Sequence, residues 1–216
     1  MSRITVLGGT GFAGAAVVAE AAKRGHEVTS VSRSEPATRV DGVDYVIGST
    51  LDPDILDAVL PGRDVVFSAL APRGDMAGKV EGAVDDLIAR LAGTPTRFGY
   101  TGGASSLQVA EGGPTIWDVS KEHIPDDVKP EVETGINVLA ILRNSPEALD
   151  WFYVSPPRDF NARLGTPDKG TYQLGGDVLL TDADDVSTIS AGDLAIAIVD
   201  EIEEPAHHRA RFTAIH

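Results

Sequence analysis

Arg3-Ile4-Thr5-Val6-Leu7-Gly8-Gly9-Thr10-Gly11-Phe12-Ala13-Gly14 decides the fold. A run of apolar and β-branched residues enters a glycine turn. The turn opens onto a stretch with Val17, Val18, Ala21 and Ala22 on one side and Glu20, Lys23 and Arg24 on the other. That is strand, turn, amphipathic helix. The helix is predicted over 12–24, with Gly25 as its stop, and a second strand follows at 27–32. Gly9-x-Gly11-x-x-Gly14 and Gly8-x-x-Gly11-x-x-Gly14 both fit the spacing that cradles a pyrophosphate. One glycine permits the tight turn, one lets phosphate approach the backbone, and the last lets helix and strand pack closely. Strand before, helix after and second strand beyond are the context such a motif requires.

Working outward, apolar strand-like runs alternate with helical patterns. Strands are predicted at 3–8, 27–32, 43–48, 64–71, 97–101, 150–154 and 211–215. Asp52-Pro53 reads as an N-cap with proline in the first helical position, opening a short helix to Leu60. A long helix is expected at 75–92, on Met76, Val80, Ala83, Leu87 and Leu91, and another from Pro130 to near Asn144. Ser190-Ala191-Gly192-Asp193 has the spacing of a capping box for a last helix to about residue 203. Residues 102–128 read as irregular, and 156–189, rich in Pro, Gly and Asp, as loops with short strands on the substrate side. Strands alternating with helices predict a doubly wound, mainly parallel α/β sheet of Rossmann type. No linker or repeat divides the chain, so residues 1–216 are expected to form one domain.

Composition narrows the chemistry. There is no cysteine, which removes disulfides, thiol nucleophiles, iron–sulfur clusters and thiolate zinc sites. The formal charge of −15 repels phosphate backbones and anionic membranes, so nucleic acid and membrane are not expected partners. No apolar run approaches the roughly 18 residues of a membrane span, and the chain starts directly in a strand pattern. A cytoplasmic protein, monomer or homodimer, is the expectation.

The second strand ends Val31-Ser32-Arg33, with no acid placed to hold a ribose 2′-hydroxyl. Ser32 and Arg33 suit a 2′-phosphate, which favours NADP(H), while nearby Glu35 keeps NAD(H) open. On these residues the chain resembles the atypical short-chain dehydrogenase/reductase superfamily. Thr101-Gly-Gly-Ala-Ser-Ser-Leu107, Leu149-Asp-Trp-Phe-Tyr-Val-Ser-Pro-Pro157, Tyr172-Gln-Leu-Gly-Gly-Asp177 and His207-His-Arg-Ala-Arg-Phe-Thr213 are similar to its NADH-flavin reductase group, NmrA-like and biliverdin reductase B-like. The resemblance implies that Thr10, Gly11, Phe12 and Ala13 line the pyrophosphate and that Arg33 meets the adenosine ribose. It implies that Ser49 stands where many members place an aspartate beside the adenine, and that Ala69, Leu70 and Ala71 flank the riboses. Gly102, Gly103, Ser155 and Pro156 would then border the nicotinamide.

Better-known members of the superfamily carry a serine after the fifth strand and a Tyr-x-x-x-Lys pair on the next helix. Ser105 or Ser106 can supply the serine, but Glu131 and Gly135 stand where tyrosine and lysine belong. Reduction of a ketone needs a positioned proton donor, which contributes typically ~10²–10⁴-fold. A flavin or quinone takes hydride into an electron-poor ring and can draw its proton from water, so stacking and exclusion of water suffice. The expectation is hydride transfer to such an acceptor, with flavin as substrate and not as prosthetic group. Ser105 would position the ring, and Trp117 and Phe160 would line the pocket; Trp151, inside a strand, is expected in the core. The alternative is a non-catalytic NADP(H)-binding redox sensor. An NAD⁺-using isomerase or epimerase is a weaker one, because it too needs the missing acid/base pair.

Other motifs fall away. Gly74–Lys79 is one residue short of a phosphate loop, and Val80 replaces its Ser/Thr. Asp182-Ala183-Asp184-Asp185 lacks the glycine of a calcium loop. His207-His208 has no third ligand nearby, so no metal is expected. Gly103-Ala-Ser105-Ser-Leu107 lacks the closing glycine of a nucleophile elbow.

Overall fold

The computed structural model describes residues 1–216. One eight-stranded sheet runs through it: β1 (Arg3–Leu7), β2 (Glu27–Ser32), β3 (Val43–Ile47), β4 (Val65–Ser68), β5 (Arg97–Thr101), β6 (Trp151–Ser155), β7 (Gln173–Gly175) and β8 (Ala210–Ile215). The order is β3-β2-β1-β4-β5-β6-β8-β7, parallel throughout except for β7, which lies antiparallel on the edge. The helices are α1 (Phe12–Lys23), α2 (Pro53–Val59), α3 (Val80–Leu91), α4 (Ile116–Ser120), α5 (Lys129–Arg143) and α6 (Ala191–Glu203).

Both faces of the sheet are covered, so strand residues alternate between two cores. Leu7, Val66, Phe98, Tyr100, Trp151 and Tyr153 pack with α2, α3 and α5. Ile4, Val6, Val65, Phe67, Phe152, Val154 and Phe212 pack with α1 and α6. Gly99 is required in β5 because a Cβ there would lie 2.3 Å from the Phe152 ring. Its absence lets Phe67 and Phe152 stack with centroids 6.0 Å apart. Trp151 is in the core, 1% exposed.

Several elements differ from the sequence expectation. The helix predicted over 75–92 breaks: Gly74–Met76 is a 3₁₀ turn, Gly78 takes φ +68°, and α3 begins only at Val80. The irregular stretch contains α4, whose N-terminus is a full capping box between Thr115 and Asp118. Ser190 caps α6 by accepting from the Asp193 N–H at 2.9 Å, but Asp193 does not reciprocate. Its buried carboxylate accepts from the N–H groups of Lys169 (2.7 Å) and Gly170 (2.8 Å), tying the substrate-side loop to α6. No helix is long and apolar enough to cross a membrane.

Candidate functional site

Strand order reverses between β1 and β4, and beyond their carboxyl ends the connecting loops part into a crevice, where ligands bind in open parallel sheets. The glycine turn forms its floor. Gly8 adopts φ +83°, and a Cβ there would stand 2.8 Å from the Ala69 carbonyl oxygen. A Cβ on Gly9 would meet Ser30 Oγ at 2.2 Å, and one on Gly14 would meet the Gly8 carbonyl oxygen at 2.2 Å. Gly11 faces open space apart from Gly8 O at 3.3 Å. Three glycines therefore compact the turn, and the fourth leaves the approach to α1 clear.

The amino end of α1 is unsatisfied. Gly11 caps it without a side chain, and no acid lies in the first turn. The N–H groups of Phe12, Ala13 and Gly14 donate to nothing within the protein. Free amides and the positive end of the helix dipole make an anion site of the size of a phosphate.

Two cavities meet over this turn, sharing Gly11, Ala69, Leu70, Ala71 and Arg73. The smaller, about 220 Å³, runs toward β2 and β3 and is lined by Gly8, Thr10, Ser32 and Arg33, among others. The larger, about 540 Å³, runs toward β5, β6 and α5 and is lined by Phe12, Ala13, Gly102, Gly103, Ser105, Pro156 and Phe160. Phe12 and Phe160 pack together on this lining, with ring centroids 5.0 Å apart and planes tilted by 41°.

Three expected site residues lie off this lining. Ser49 turns away, its Oγ accepting from the Leu51 N–H at 3.2 Å, while its neighbours Gly48 and Thr50 face the small cavity. Ser155 ends β6 fully buried, and Pro156 and Pro157 form the wall instead. Trp117 sits half-buried on α4 and reaches the site only through its backbone N–H, which donates to the Ser105 carbonyl at 2.9 Å. The two serines also separate: Ser106 Oγ accepts from Arg211 Nη1 at 2.8 Å, and Ser105 has no such tie.

Beside Arg33, Glu131 and Gly135, the structure adds residues that the sequence did not single out. Arg73, after β4, makes a two-pronged pair with Glu131 on α5, Nε–Oε2 2.6 Å and Nη2–Oε1 2.5 Å. Arg33 Nη1 donates to Asp75 at 2.8 Å. In a chain of net charge −15, Arg33 and Arg73 thus border the crevice, each held by a carboxylate, and Arg158 also lines the large cavity. Glu131, Val132, Gly135 and Ile136 are the α5 residues facing the large cavity. Tyr100 lines it from β5. Burial pushes its phenol well above the ordinary tyrosine range, while Tyr153 beneath is pushed up to about 12.

A nicotinamide dinucleotide fits this donor set: free amides for the pyrophosphate, a side cavity ending in Arg33, and a larger cavity beyond. The NAD(P)H-binding family model matches residues 8–205. The chain belongs to that family. Among similar proteins, YwnB of Bacillus subtilis is 33% identical, over 99% of this chain and 98% of its own. A crystal structure of a "putative NADH-flavin reductase" from Streptococcus pneumoniae superposes with TM-score 0.87 at 31% identity, covering all of both chains. One of a "putative epimerase" from Bacteroides thetaiotaomicron gives 0.84 at 32% identity, covering 100% of this chain and 97% of that one. Neighbours so alike in fold carry names for different chemistries, so the chemistry is argued from the site.

Proposed function

We propose that this family member is an NAD(P)H-dependent oxidoreductase that reduces a planar conjugated acceptor, a flavin or a quinone, with NADP(H) preferred. The observation that carries the reading is the α5 wall of the large cavity. Glu131 and Gly135 face the cavity four residues apart, and the carboxylate of Glu131 is already engaged by Arg73. That wall offers a conjugated ring a smooth apolar surface of Val132, Gly135 and Ile136 and no ammonium group to tune a phenol. Such a surface suits an acceptor that needs orientation more than general acid catalysis. The name of the Streptococcus pneumoniae neighbour supports the same class.

When bound, the nicotinamide supplies the hydride. The chain's own residues do the rest. The amides of Phe12, Ala13 and Gly14 would hold the pyrophosphate, and Arg33 with Ser32 the 2′-phosphate. Ala69, Leu70 and Ala71 would flank the riboses, and Gly102, Gly103 and Pro156 the nicotinamide. Ser105 would position the ring of cofactor or acceptor, and Phe160 would cover it from water.

The test is oxidation of NADPH by purified protein on addition of FMN, riboflavin or menadione, followed by loss of the near-ultraviolet absorbance of NADPH. Turnover with any of these supports the reading. Tight NADPH binding with no turnover across the panel, together with strong discrimination of NADPH from NADP⁺, would replace it with a redox sensor.

A further inference from the structure

The fold returns to the large cavity the kind of group that α5 lacks. Tyr100, the fourth residue of β5, is the one phenol on its lining. The residue is 2% exposed and stacks on Tyr153, with centroids 5.6 Å apart and planes 23° from parallel. The two hydroxyls differ. Tyr153 Oη donates to the Gly135 carbonyl at 2.9 Å and accepts from the Gly103 N–H at 3.3 Å, so it is fully used in fixing α5 to the end of β5. Tyr100 Oη has no hydrogen-bond partner in the protein, and it is not among the polar atoms sealed in the core. Buried tyrosine hydroxyls ordinarily find a partner. A phenol almost wholly buried, unpartnered and on a cavity wall is placed to meet a ligand.

We propose that the Tyr100 hydroxyl donates a hydrogen bond to the acceptor oxygen on which negative charge grows during reduction, and so is a catalytic residue of this cavity. The proposal rests on the reductase reading. A quinone or flavin carries carbonyl oxygens conjugated to the atom that takes hydride, and two electrons arriving there place charge on oxygen. A preorganised neutral donor on a largely buried wall stabilises that charge. Burial holds the phenol protonated, so Tyr100 donates without losing its proton. The balance is simple: the acceptor gains two electrons and one proton from NADPH as hydride, and a second proton from water. Stacking on Tyr153 holds the ring in place.

Tyr100→Phe tests this, since it removes one oxygen and keeps the stacked ring. Three quantities are compared with wild type: kcat with menadione, the dissociation constant of FMN for the NADP⁺-loaded protein by quenching of flavin fluorescence, and the dissociation constant of NADPH. The expected result is a kcat lower by roughly tenfold or more. FMN should bind about five-fold more weakly, with NADPH affinity and Tm unchanged. Unchanged kcat and FMN affinity overturn the proposal. So does weaker NADPH binding with kcat retained, which would assign the hydroxyl to the cofactor. A wild type that binds NADPH and reduces none of the acceptors overturns the reductase reading itself, and the wild-type assay alone reveals it.

Discussion

Arg33, on the lining of the small cavity, and Asp75 are joined, Nη1 to Oδ2 at 2.8 Å, although 42 residues separate them in the chain. β2 brings the arginine to the crevice, and the 3₁₀ turn after β4 brings the acid. A 2′-phosphate at Arg33 must therefore compete with a carboxylate. Arg33→Ala should weaken NADPH and leave NADH nearly untouched. Asp75→Asn should do the opposite for the phosphorylated cofactor, because it frees the guanidinium and removes a repelling charge. Both side chains are substantially exposed, so the pair is worth at most about 1 kcal/mol and NADPH should tighten by about two- to five-fold. Titration calorimetry of both variants with both cofactors checks this; equal effects on NADH and NADPH would remove Arg33 from the phosphate site.

Gly14 and Gly82 make a matched pair in two helices. In α1, a Cβ on Gly14 would stand 2.2 Å from the Gly8 carbonyl oxygen, so Gly14→Ala must push the helix off the turn. A loss of about 1–3 kcal/mol is expected, with loss of NADPH binding as the phosphate cradle opens. In α3, Gly82 has nothing within 4 Å, and Gly82→Ala should gain up to about 1 kcal/mol from helix propensity. Thermal unfolding of the two variants with and without NADPH separates them. If Gly14→Ala keeps its Tm and its cofactor, the role of that close contact is wrong.

Much of this was legible in the chain. Continuous apolar runs and helical spacing placed seven strands and five helices, because a sheet covered on both faces imposes that pattern. What escaped was short, distant or one residue off. α4 has five residues, and the Thr115–Asp118 box was its single local signal. β7 has three, paired to β8 about forty residues on. The pairs Arg33–Asp75 and Arg73–Glu131 join segments far apart in sequence, so no local reading finds them. Ser155 and Ser49 show the alternation of chain direction: a neighbour faces the cavity and the named residue does not. Tyr100 was hidden by its own strand: it packs in the core with Phe98, so nothing local marks its hydroxyl as facing a cavity.

At the opposite end of the sheet, Arg97 and Glu201 form a buried pair, Nη2–Oε1 2.5 Å, with the Arg97 guanidinium also 4.5 Å from the centre of the Phe152 ring. Burial of Glu201 works against its charge, but hydrogen bonds from His207 and Arg97 outweigh it and hold the carboxyl below its usual 4.5. A folded value below the unfolded one adds stability that is full above about 4.5 and is lost as pH falls through the folded value. Glu201→Gln leaves Arg97 with only the half-exposed Asp150, 3.2 Å from its Nε, as counter-charge and should cost about 2 kcal/mol near neutrality. It should also flatten the fall in stability below pH 4.5. Urea unfolding from acid to neutral pH measures both; parallel curves for variant and wild type would show that Glu201 does not carry the acid limb.

The Phe12–Phe160 pair bears on the proposed acceptor. Phe12 starts α1 at the phosphate turn and is 45% exposed, while Phe160 comes from the loop after β6 and packs on the core beneath α1 and α6. Phe160 is on the lining of the large cavity, where it can cover a bound ring. Phe160→Leu keeps an apolar side chain and removes the aromatic face. An aromatic contact adds about 0.5–1.5 kcal/mol beyond its buried area, which corresponds to a KM for menadione or FMN raised by about two- to ten-fold. NADPH affinity should stay at the wild-type value, because the substitution lies off the dinucleotide cradle. Steady-state kinetics with the acceptor varied at saturating NADPH measures the first, and a direct NADPH titration the second. A KM that does not move would take Phe160 out of the acceptor pocket and leave it a partner of Phe12 alone.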